Sequence, residues 1–238
     1  MLEHSIQWMN MAETVVEGLL LCRLLLLRLH RPYLFITLYC LLSVFFDSIC
    51  WGTGWTTRAA LETGTLECFF LAFLTPFAAW EAFEEVLPQA DKWRRLALGR
   101  FIWSIVLTVL FVLIVSANVP VQDAHGHSAF FTLAGLLCWS CCASASFAFL
   151  RTTRRILLAQ KIELARNTSV WTTFFILINA LTIVYCLLVL LGPVAGGTVS
   201  ALAVILLQAV NAAIIIWCIA RLKRPAALVE AVSAKEEQ

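Results

Sequence analysis

The chain has 238 residues, of which 61% are hydrophobic and 13% are charged, and its formal net charge is +2. A soluble domain carries about a quarter charged residues and roughly 45–50% apolar ones. The composition therefore excludes a soluble globular domain and predicts that lipid is the solvent for much of the chain. We expect the lipid bilayer to be a partner and expect no nucleic-acid partner.

Seven stretches are long and apolar enough to cross a bilayer as α-helices, because a hydrocarbon core of roughly 30 Å needs about 20 residues at 1.5 Å each. They are approximately 8–28, 32–51, 61–84, 101–119, 129–150, 170–191 and 199–220. Pro32 is expected in the first turn of the second span, where its missing N–H costs nothing. The sequence thus predicts an all-α polytopic transmembrane helical bundle over residues 1–224 and a short tail over 225–238.

The basic residues set the predicted orientation. Fifteen of the 17 Lys and Arg fall on one side, in alternate connections and the tail, whereas Arg58 is on the other side and Arg23 is within the first span. The fifteen are Arg28, Arg31, Lys92, Arg94, Arg95, Arg100, Arg151, Arg154, Arg155, Lys161, Arg166, Arg221, Lys223, Arg224 and Lys235. Because cytoplasmic connections retain Lys and Arg, we expect the N-terminus outside and the C-terminus in the cytoplasm of a bacterial inner membrane. The acidic N-terminal stretch does not fit a cleavable signal, so the first span should be retained.

One predicted cytoplasmic segment is more than a connector. Residues 150–169 contain no Gly or Pro and mix apolar with basic side chains. This pattern indicates either a fifth helix that continues past the membrane or an amphipathic helix on the anionic inner surface. Arg151, Arg154, Arg155 and Lys161 are the residues expected to contact the membrane surface or a partner.

Several chemistries lack their signatures. A retinal protein needs a lysine in its last span, and 199–220 has none. A membrane haem needs histidines within helices, and HExxH, which would indicate a zinc protease, is missing. The four histidines, which lie at span ends or in connections, are His4, His30, His125 and His127. We therefore expect no enzymatic activity and no cofactor.

Nine cysteines lie in or at the end of apolar runs, and no CxxC pair sits beside histidines in a connection. Neither a zinc site nor a secreted disulfide framework is indicated. Cys138, Cys141 and Cys142 share one predicted helix and can meet there. The expected role of all nine is that of small buried hydrophobic residues.

Carboxylates concentrate in the outer halves of the first three spans. Glu13 and Glu17 share one helix face at i and i+4, Asp47 is near the outer end of the second span, and Glu62 and Glu67 are in the third. A charge at the centre of a membrane helix costs roughly 2.5–3.5 kcal/mol on insertion scales. We therefore predict that these groups converge on a water-filled pocket that opens to the exterior.

The candidate ligand, proton or cation site comprises Glu17, Asp47, Glu67 and Arg23. Glu13 and Glu62 are weaker candidates, since a location at the membrane interface also explains them, and Arg23 also fits a snorkelling or structural role. Asn179 and Asn211, in spans six and seven, are expected to join helices by hydrogen bonds.

Two outer connections carry notable residues. Asp123, His125 and His127 could hold a metal ion or sense pH, but one acid and two imidazoles in a Gly-containing loop are a weak signal, and we expect no metal. Gly192-Pro193 and Gly196-Gly197 predict a tight turn between spans six and seven.

The stretches LHRPYLFITLYCLLSVFF, LETGTLECFFLAFL and DKWRRLALGRFIW resemble small, uncharacterised bacterial seven-helix membrane proteins. In plan, spans one to four are also similar to the seven-helix sensor regions of some bacterial histidine kinases. The resemblance implies a sensory role, but nothing kinase-like follows Arg224, so signalling would need a separate cytoplasmic partner or a homo-oligomer. The DRY and NPxxY motifs of G-protein-coupled receptors are absent.

Three functions remain open. The first is a non-enzymatic sensory or ligand-binding membrane module. The second is a small transporter of the three-plus-one-plus-three kind, similar to seven-helix sugar transporters and PQ-loop proteins. Such a transporter should show a sequence repeat between spans one to three and spans five to seven, but the only match is GLLLC at 18–22 with GLLC at 135–138. The Pro-Gln dipeptide of PQ-loop proteins lies within a helix, whereas Pro88-Gln89 lies after the third span. The third is a structural or assembly subunit of a membrane complex.

Overall fold

A computed structural model describes residues 2–54, 57–83, 98–99, 101–103, 106, 110, 128–162, 164–195 and 197–224. Within these ranges all regular elements are α-helices, which we number in chain order. They are α1 (Leu2–Leu26), α2 (Leu34–Thr53), α3 (Arg58–Glu81), α4 (Ser128–Ala159), α5 (Arg166–Ala195) and α6 (Gly197–Arg221). Helices α1 to α3 correspond to predicted spans one to three, and α4 to α6 correspond to spans five to seven.

Five of these helices contain a stretch long and apolar enough to cross a membrane. The stretches are Leu34–Thr53, Glu62–Glu81, Leu133–Ala159, Arg166–Val189 and Ala201–Arg221. Large apolar side chains also face outward, such as Leu26, Phe73 and Leu206, each about two-thirds exposed. Such surfaces suit lipid rather than water, so the chain has the character of an integral membrane protein. Helix α1 is not among the five.

Most of the fourth predicted span, 101–119, lies outside the described residues. Its first turn is described, and Phe101 is buried there, with its ring centroid 5.6 Å from those of both Trp80 and Phe149. Ile102 and Trp103 are exposed. The start of this segment therefore packs between α3 and α4.

The six helices pack in a ring. Each contacts its neighbours in chain order, and α6 closes the ring against α1. Aromatic contacts cross the ring between α2 and α5: the Tyr33 and Trp171 ring centroids are 5.8 Å apart, and those of Tyr39 and Phe175 are 5.9 Å apart. The apolar core is therefore centred near the α1–α2 and α4–α5 connections, at the end that also carries most of the described basic residues. We call it the basic end.

Helix α1 ends in a Schellman motif, in which two backbone bonds close the last turn around a left-handed residue. Arg28 has φ +56°, the Leu29 N–H donates to the Leu24 carbonyl at 2.8 Å, and the Arg28 N–H donates to the Leu25 carbonyl at 3.0 Å. Leu24 and Leu29 are both fully buried. Since α2 begins only at Leu34, Pro32 lies in this turn and not in the first turn of α2, so that prediction is wrong.

Helix α4 ends in the same way. Lys161 has φ +57°, the Ile162 N–H donates to the Leu157 carbonyl at 3.1 Å, and the Lys161 N–H donates to the Leu158 carbonyl at 3.0 Å. The prediction of a helix throughout 150–169 therefore holds as far as Ala159 and is wrong for the connection before Arg166. A closing backbone motif ends the helix here without the glycine that usually marks one.

The α1–α2 and α4–α5 hairpins correspond in the conformation of their turns and in the positions of buried residues, although their connections differ by one residue in length, and we call this correspondence the hairpin equivalence. Lys161 takes the place of Arg28 in the turn, and Arg166, which begins α5, takes the place of Leu34, which begins α2. When α2 and α5 are aligned at these first residues, five pairs of positions are buried in both helices. They are Ile36 and Thr168, Cys40 and Thr172, Ser43 and Phe175, Phe46 and Ile178, and Cys50 and Thr182. The short GLLLC and GLLC match would instead align Gly18 with Gly135 and does not correspond to this equivalence.

The predicted turn at Gly192-Pro193 is wrong, because α5 continues through it to Ala195. Proline removes one intrahelical hydrogen bond, and membrane helices tolerate this when neighbouring groups satisfy the freed carbonyl. Helix α5 ends at Ala195, and α6 begins at Gly197.

Side chains from other helices cap the helix ends at the basic end. The carboxylate of Glu81, at the end of α3, accepts a 2.8 Å bond from the Ile36 N–H in the first turn of α2. The Asn167 side chain accepts from the Lys223 N–H at 3.2 Å and donates to the Lys223 carbonyl at 3.0 Å. These contacts satisfy backbone groups that a helix leaves unpaired at its ends.

Candidate functional site

One face of α1 carries three polar residues, Asn10, Glu13 and Glu17, at the spacing that aligns side chains along a helix. Two of them bond to α6. The Gln208 amide donates to the Asn10 side-chain oxygen, and the Asn211 amide donates to a Glu13 carboxylate oxygen. Asn211 therefore joins two helices, as expected from its position in an apolar span.

Asp47 joins α2 to the same face of α1. The Thr14 hydroxyl donates to Asp47 Oδ2 at 2.7 Å and also lies 2.9 Å from the carbonyl oxygen of Asn10. Thr14 is buried, so this bond between α1 and α2 is shielded from water. Hydrogen bonds of this kind hold membrane helices in register.

Glu17 lies one turn further along α1 than Glu13. It lies near the Ser43 side chain of α2 and interacts electrostatically with Asp47 and Glu13. Its second oxygen, Oε2, is buried and has no hydrogen-bond partner among the described residues. Since buried carboxylate oxygens are normally satisfied, this atom is available to a ligand or to water.

Glu67 brings α3 into the group. Its carboxyl group interacts electrostatically with Asp47, Glu17 and Glu13. Glu13, Glu17, Asp47 and Glu67, from three helices, thus lie together, and we call them the carboxyl cluster. Several like charges at one place in a low dielectric repel strongly unless protons or a cation compensate them.

Two tyrosines border the carboxyl cluster. Tyr39 of α2 interacts electrostatically with Glu17, Glu67 and Glu13, and Tyr185 of α5 does so with Glu67 and Glu13. Aromatic rings next to carboxylates make a surface that suits an organic cation, because a ring face attracts positive charge. The sequence offered no signal for either tyrosine, since aromatic residues are frequent in every span.

Two predicted site residues lie apart from the cluster. Glu62 is exposed, one or more turns nearer the start of α3 than Glu67. Arg23 lies toward the basic end, where its guanidinium donates to the Leu222 carbonyl at 3.4 Å. The structure therefore does not bring Arg23 close to the acids. The Arg23 guanidinium lies instead beside the last carbonyl groups of α6, where a positive charge is favourable.

The connection that holds Asp123, His125 and His127 lies outside the described residues. Within the described ranges, no group of three or more His, Cys, Asp or Glu side chains is arranged to hold a metal ion. The carboxyl cluster therefore differs from a metal centre, whose oxygen ligands must converge to within 2.0–2.6 Å of one point.

Five thiols gather beside the cluster, between α3, α4 and α5. The Cys142 thiol donates a hydrogen bond to Cys138, Cys141 interacts with Cys138 and Cys186, and Cys68 interacts with Cys186 and Cys138. All nine cysteines are free. Cys138, Cys141 and Cys142 do meet on one helix. The prediction that all nine cysteines are buried is wrong for Cys22, which is exposed, and holds only in part for Cys68, Cys138 and Cys141, which are half-buried.

The four predicted surface contacts lie at the end of α4 and in the turn after it. Arg151, Arg155 and Lys161 are exposed, and the Arg151 guanidinium carbon lies 5.9 Å from the centroid of the Phe147 ring. Arg154 is half-buried and donates to the Thr173 hydroxyl of α5 at 3.0 Å. Three of the four are thus free to face lipid headgroups or a partner, whereas Arg154 holds α4 to α5.

Comparison with known protein families, curated proteins and solved structures finds no match to this chain.

Proposed function

We propose that this chain is a non-enzymatic ligand-binding membrane protein of the sensory kind, which recognises a cation at the carboxyl cluster. The observation that carries the proposal is the meeting of Glu13, Glu17, Asp47 and Glu67, with a Glu17 oxygen left without a partner among the described residues. Carboxylates in a membrane need compensation, and a bound cation supplies it better than water does.

The proposed topology is seven spans with the N-terminus outside. The orientation is supported by the concentration of basic residues at one end of the bundle. A span at α1 is supported by its packing against α2 and α6, through the face that carries the acids. In this orientation the carboxyl cluster lies in the outer half of the bundle. Alkaline phosphatase fusions at the tail and in the 54–57 connection test it: activity at the tail would refute the orientation.

A sensor must pass ligand occupancy to the cytoplasmic side, and two helices are placed to do so. Helix α1 carries Glu13 and Glu17 in the cluster and Arg23 at the basic end. Helix α6 carries Asn211, which bonds to Glu13, and its end lies beside Arg23 and Asn167. A ligand that shifts α6 along α1 would alter these contacts at the basic end. A cytoplasmic partner that responds to this shift would bind at the exposed Arg151, Arg155 and Lys161.

The test is cation binding to the full chain in nanodiscs at constant ionic strength. The probes are Na⁺, K⁺, Mg²⁺, Ca²⁺ and propylammonium, and the readout is the shift in thermal unfolding midpoint with probe concentration. We expect at least one probe to stabilise the wild-type protein saturably and Glu17→Gln to abolish that response. Glu62→Gln is the matched control, since Glu62 is an exposed acid, and it should respond like the wild type. No saturable response to any probe would refute the proposal.

Transport is the second candidate, and the equivalence of the α1–α2 and α4–α5 hairpins favours it. Repeated helix groups are typical of small transporters, whose substrate sites lie between the repeats. Uptake of a stabilising probe into proteoliposomes separates the two functions. Saturable uptake that is lost in Glu17→Gln and Glu67→Gln would establish transport, whereas binding without uptake would favour a sensor.

A further inference from the structure

The strongest unexplained polar group outside the carboxyl cluster is the side chain of Asn179, in the middle of α5. Asn179 is 2% exposed, and its amide nitrogen has no hydrogen-bond partner in the described part of the chain. A buried amide without a partner costs free energy, so such groups are rare in folded proteins. The expectation that Asn179 joins two helices is therefore not met by its amide nitrogen.

The level of Asn179 along the bundle can be inferred from a ring contact between α2 and α5. Phe175, one turn earlier on the same face of α5, contacts the Tyr39 ring of α2 edge-on at 5.9 Å. Because α2 and α5 run in the same direction from the basic end, one turn further along each helix places Asn179 level with Ser43. Ser43 lies near the Glu17 carboxyl group. By this count Asn179 lies at the level of the carboxyl cluster, on a helix across the ring from α2.

The hairpin equivalence places Asn179 one turn further along α2. Asn179 corresponds to Asp47 when α2 and α5 are aligned at their first residues, and Ser146 corresponds to Glu13 when α1 and α4 are aligned at their left-handed residues, Arg28 and Lys161. Ser146 is also 2% exposed, with a hydroxyl that has no partner among the described residues. Counting from the ring contact or from the equivalence differs by one turn, and both place Asn179 between the levels of Ser43 and Asp47.

We propose that Asn179 and Ser146 form the second half of the ligand site, opposite the carboxyl cluster, and that the ligand is an organic ammonium compound that also carries a hydrogen-bond acceptor. The carboxyl groups would hold the ammonium end, and the unpaired amide nitrogen would donate to a hydroxyl, carbonyl or carboxylate oxygen at the other end. An organic ion suits this setting better than a metal ion, because no three acids among the described residues are arranged around one point and Tyr39 and Tyr185 border them.

This inference rests on the proposed cation site, and a matched pair of probes separates the two. Ethanolamine and propylamine both carry an ammonium group and are equal in heavy-atom count, but only ethanolamine has an acceptor oxygen. With the full chain in nanodiscs, we expect ethanolamine to bind roughly fivefold more tightly, the effect of about one neutral hydrogen bond. Asn179→Leu should remove this preference while propylamine binding persists.

Two further variants guard against a loss of folding. Ser146→Ala removes only one hydroxyl and should reduce the preference for ethanolamine. Leu177→Ala alters an exposed side chain of the same helix as Asn179 and should retain the preference in full. Both are compared with Asn179→Leu by their unfolding midpoints without probe.

The outcomes are distinct. Equal binding of the two amines by the wild type, or binding of inorganic cations alone, would overturn this inference and leave the cation site standing. An ethanolamine preference that survives in Asn179→Leu would also overturn it. If no cation of either panel binds, the proposed function itself fails.

Discussion

The contact between Glu81 and the first turn of α2 allows a quantitative prediction. The Glu81 carboxylate, only 7% exposed, accepts a 2.8 Å bond from the N–H of Ile36, a residue with no exposed surface. In Glu81→Ala the Ile36 N–H loses this acceptor away from water, which costs about 1–3 kcal/mol. The loss of a negative charge beside a helix N-terminus adds about 0.3–1 kcal/mol. We therefore expect Glu81→Ala to lower the free energy of unfolding by about 1.3–4 kcal/mol.

Glu81→Gln separates the two contributions. A glutamine keeps an acceptor oxygen at the same reach but loses the charge, so its expected cost is about 1 kcal/mol. The exposed Glu62 on the same helix supplies the control, since its side chain is not buried and Glu62→Ala should cost less than Glu81→Ala. The assay is reversible unfolding in mixed micelles of a mild detergent and dodecyl sulfate, followed by tryptophan fluorescence.

Two results would refute this reasoning. If Glu81→Ala unfolds at the same dodecyl sulfate fraction as Glu62→Ala, the bond to Ile36 does not contribute to stability. If Glu81→Gln is as unstable as Glu81→Ala, the negative charge, and not the placement of an acceptor, carries the effect.

Two other predictions concern the basic end and use the same unfolding assay. Asn167→Ala removes two hydrogen bonds to the Lys223 backbone. Because Lys223 is exposed, water can partly replace them, so we expect the free energy of unfolding to fall by about 1–2 kcal/mol. An unchanged midpoint would mean that these bonds do not form. Lys161→Gly relieves a left-handed backbone at φ +57° and should stabilise the protein by up to about 1 kcal/mol. Ala159→Gly, at the end of α4, should instead destabilise by up to about 1 kcal/mol, and a fall in stability for both glycine variants would contradict the assigned turn.

The gathering of the carboxyl cluster could be anticipated because of the cost of charge in hydrocarbon. That cost applies to Glu17, Asp47 and Glu67 wherever the helices happen to lie, so a common interior location was the simplest expectation. Arg23 could not be placed by the same argument, because a long basic side chain has other means of compensation. In the structure, one of them is the carbonyl of Leu222 at the end of α6.

The polar partners of the cluster had no comparable signal. Thr14, Ser43 and Gln208 are uncharged, and such residues can satisfy themselves within their own helix or face lipid at modest cost. Only the packing of α6 on α1 and of α2 on α1 reveals which of them point inward. The same holds for Asn179, whose significance depends on the ring contact between Phe175 and Tyr39.

The sequence by itself determined that the chain consists of long apolar helices, where most of them lie, and that basic residues gather at one end, because burial in lipid depends on local composition along the chain. Tertiary structure alone decided the closure of the helix ring, the ends of α1 and α4 at left-handed Arg28 and Lys161, and the equivalence of the two hairpins. These features depend on which helix faces meet and which backbone groups bond across a turn. Residues with no signal in a local window, such as Leu29 and Asn179, take their roles from those contacts.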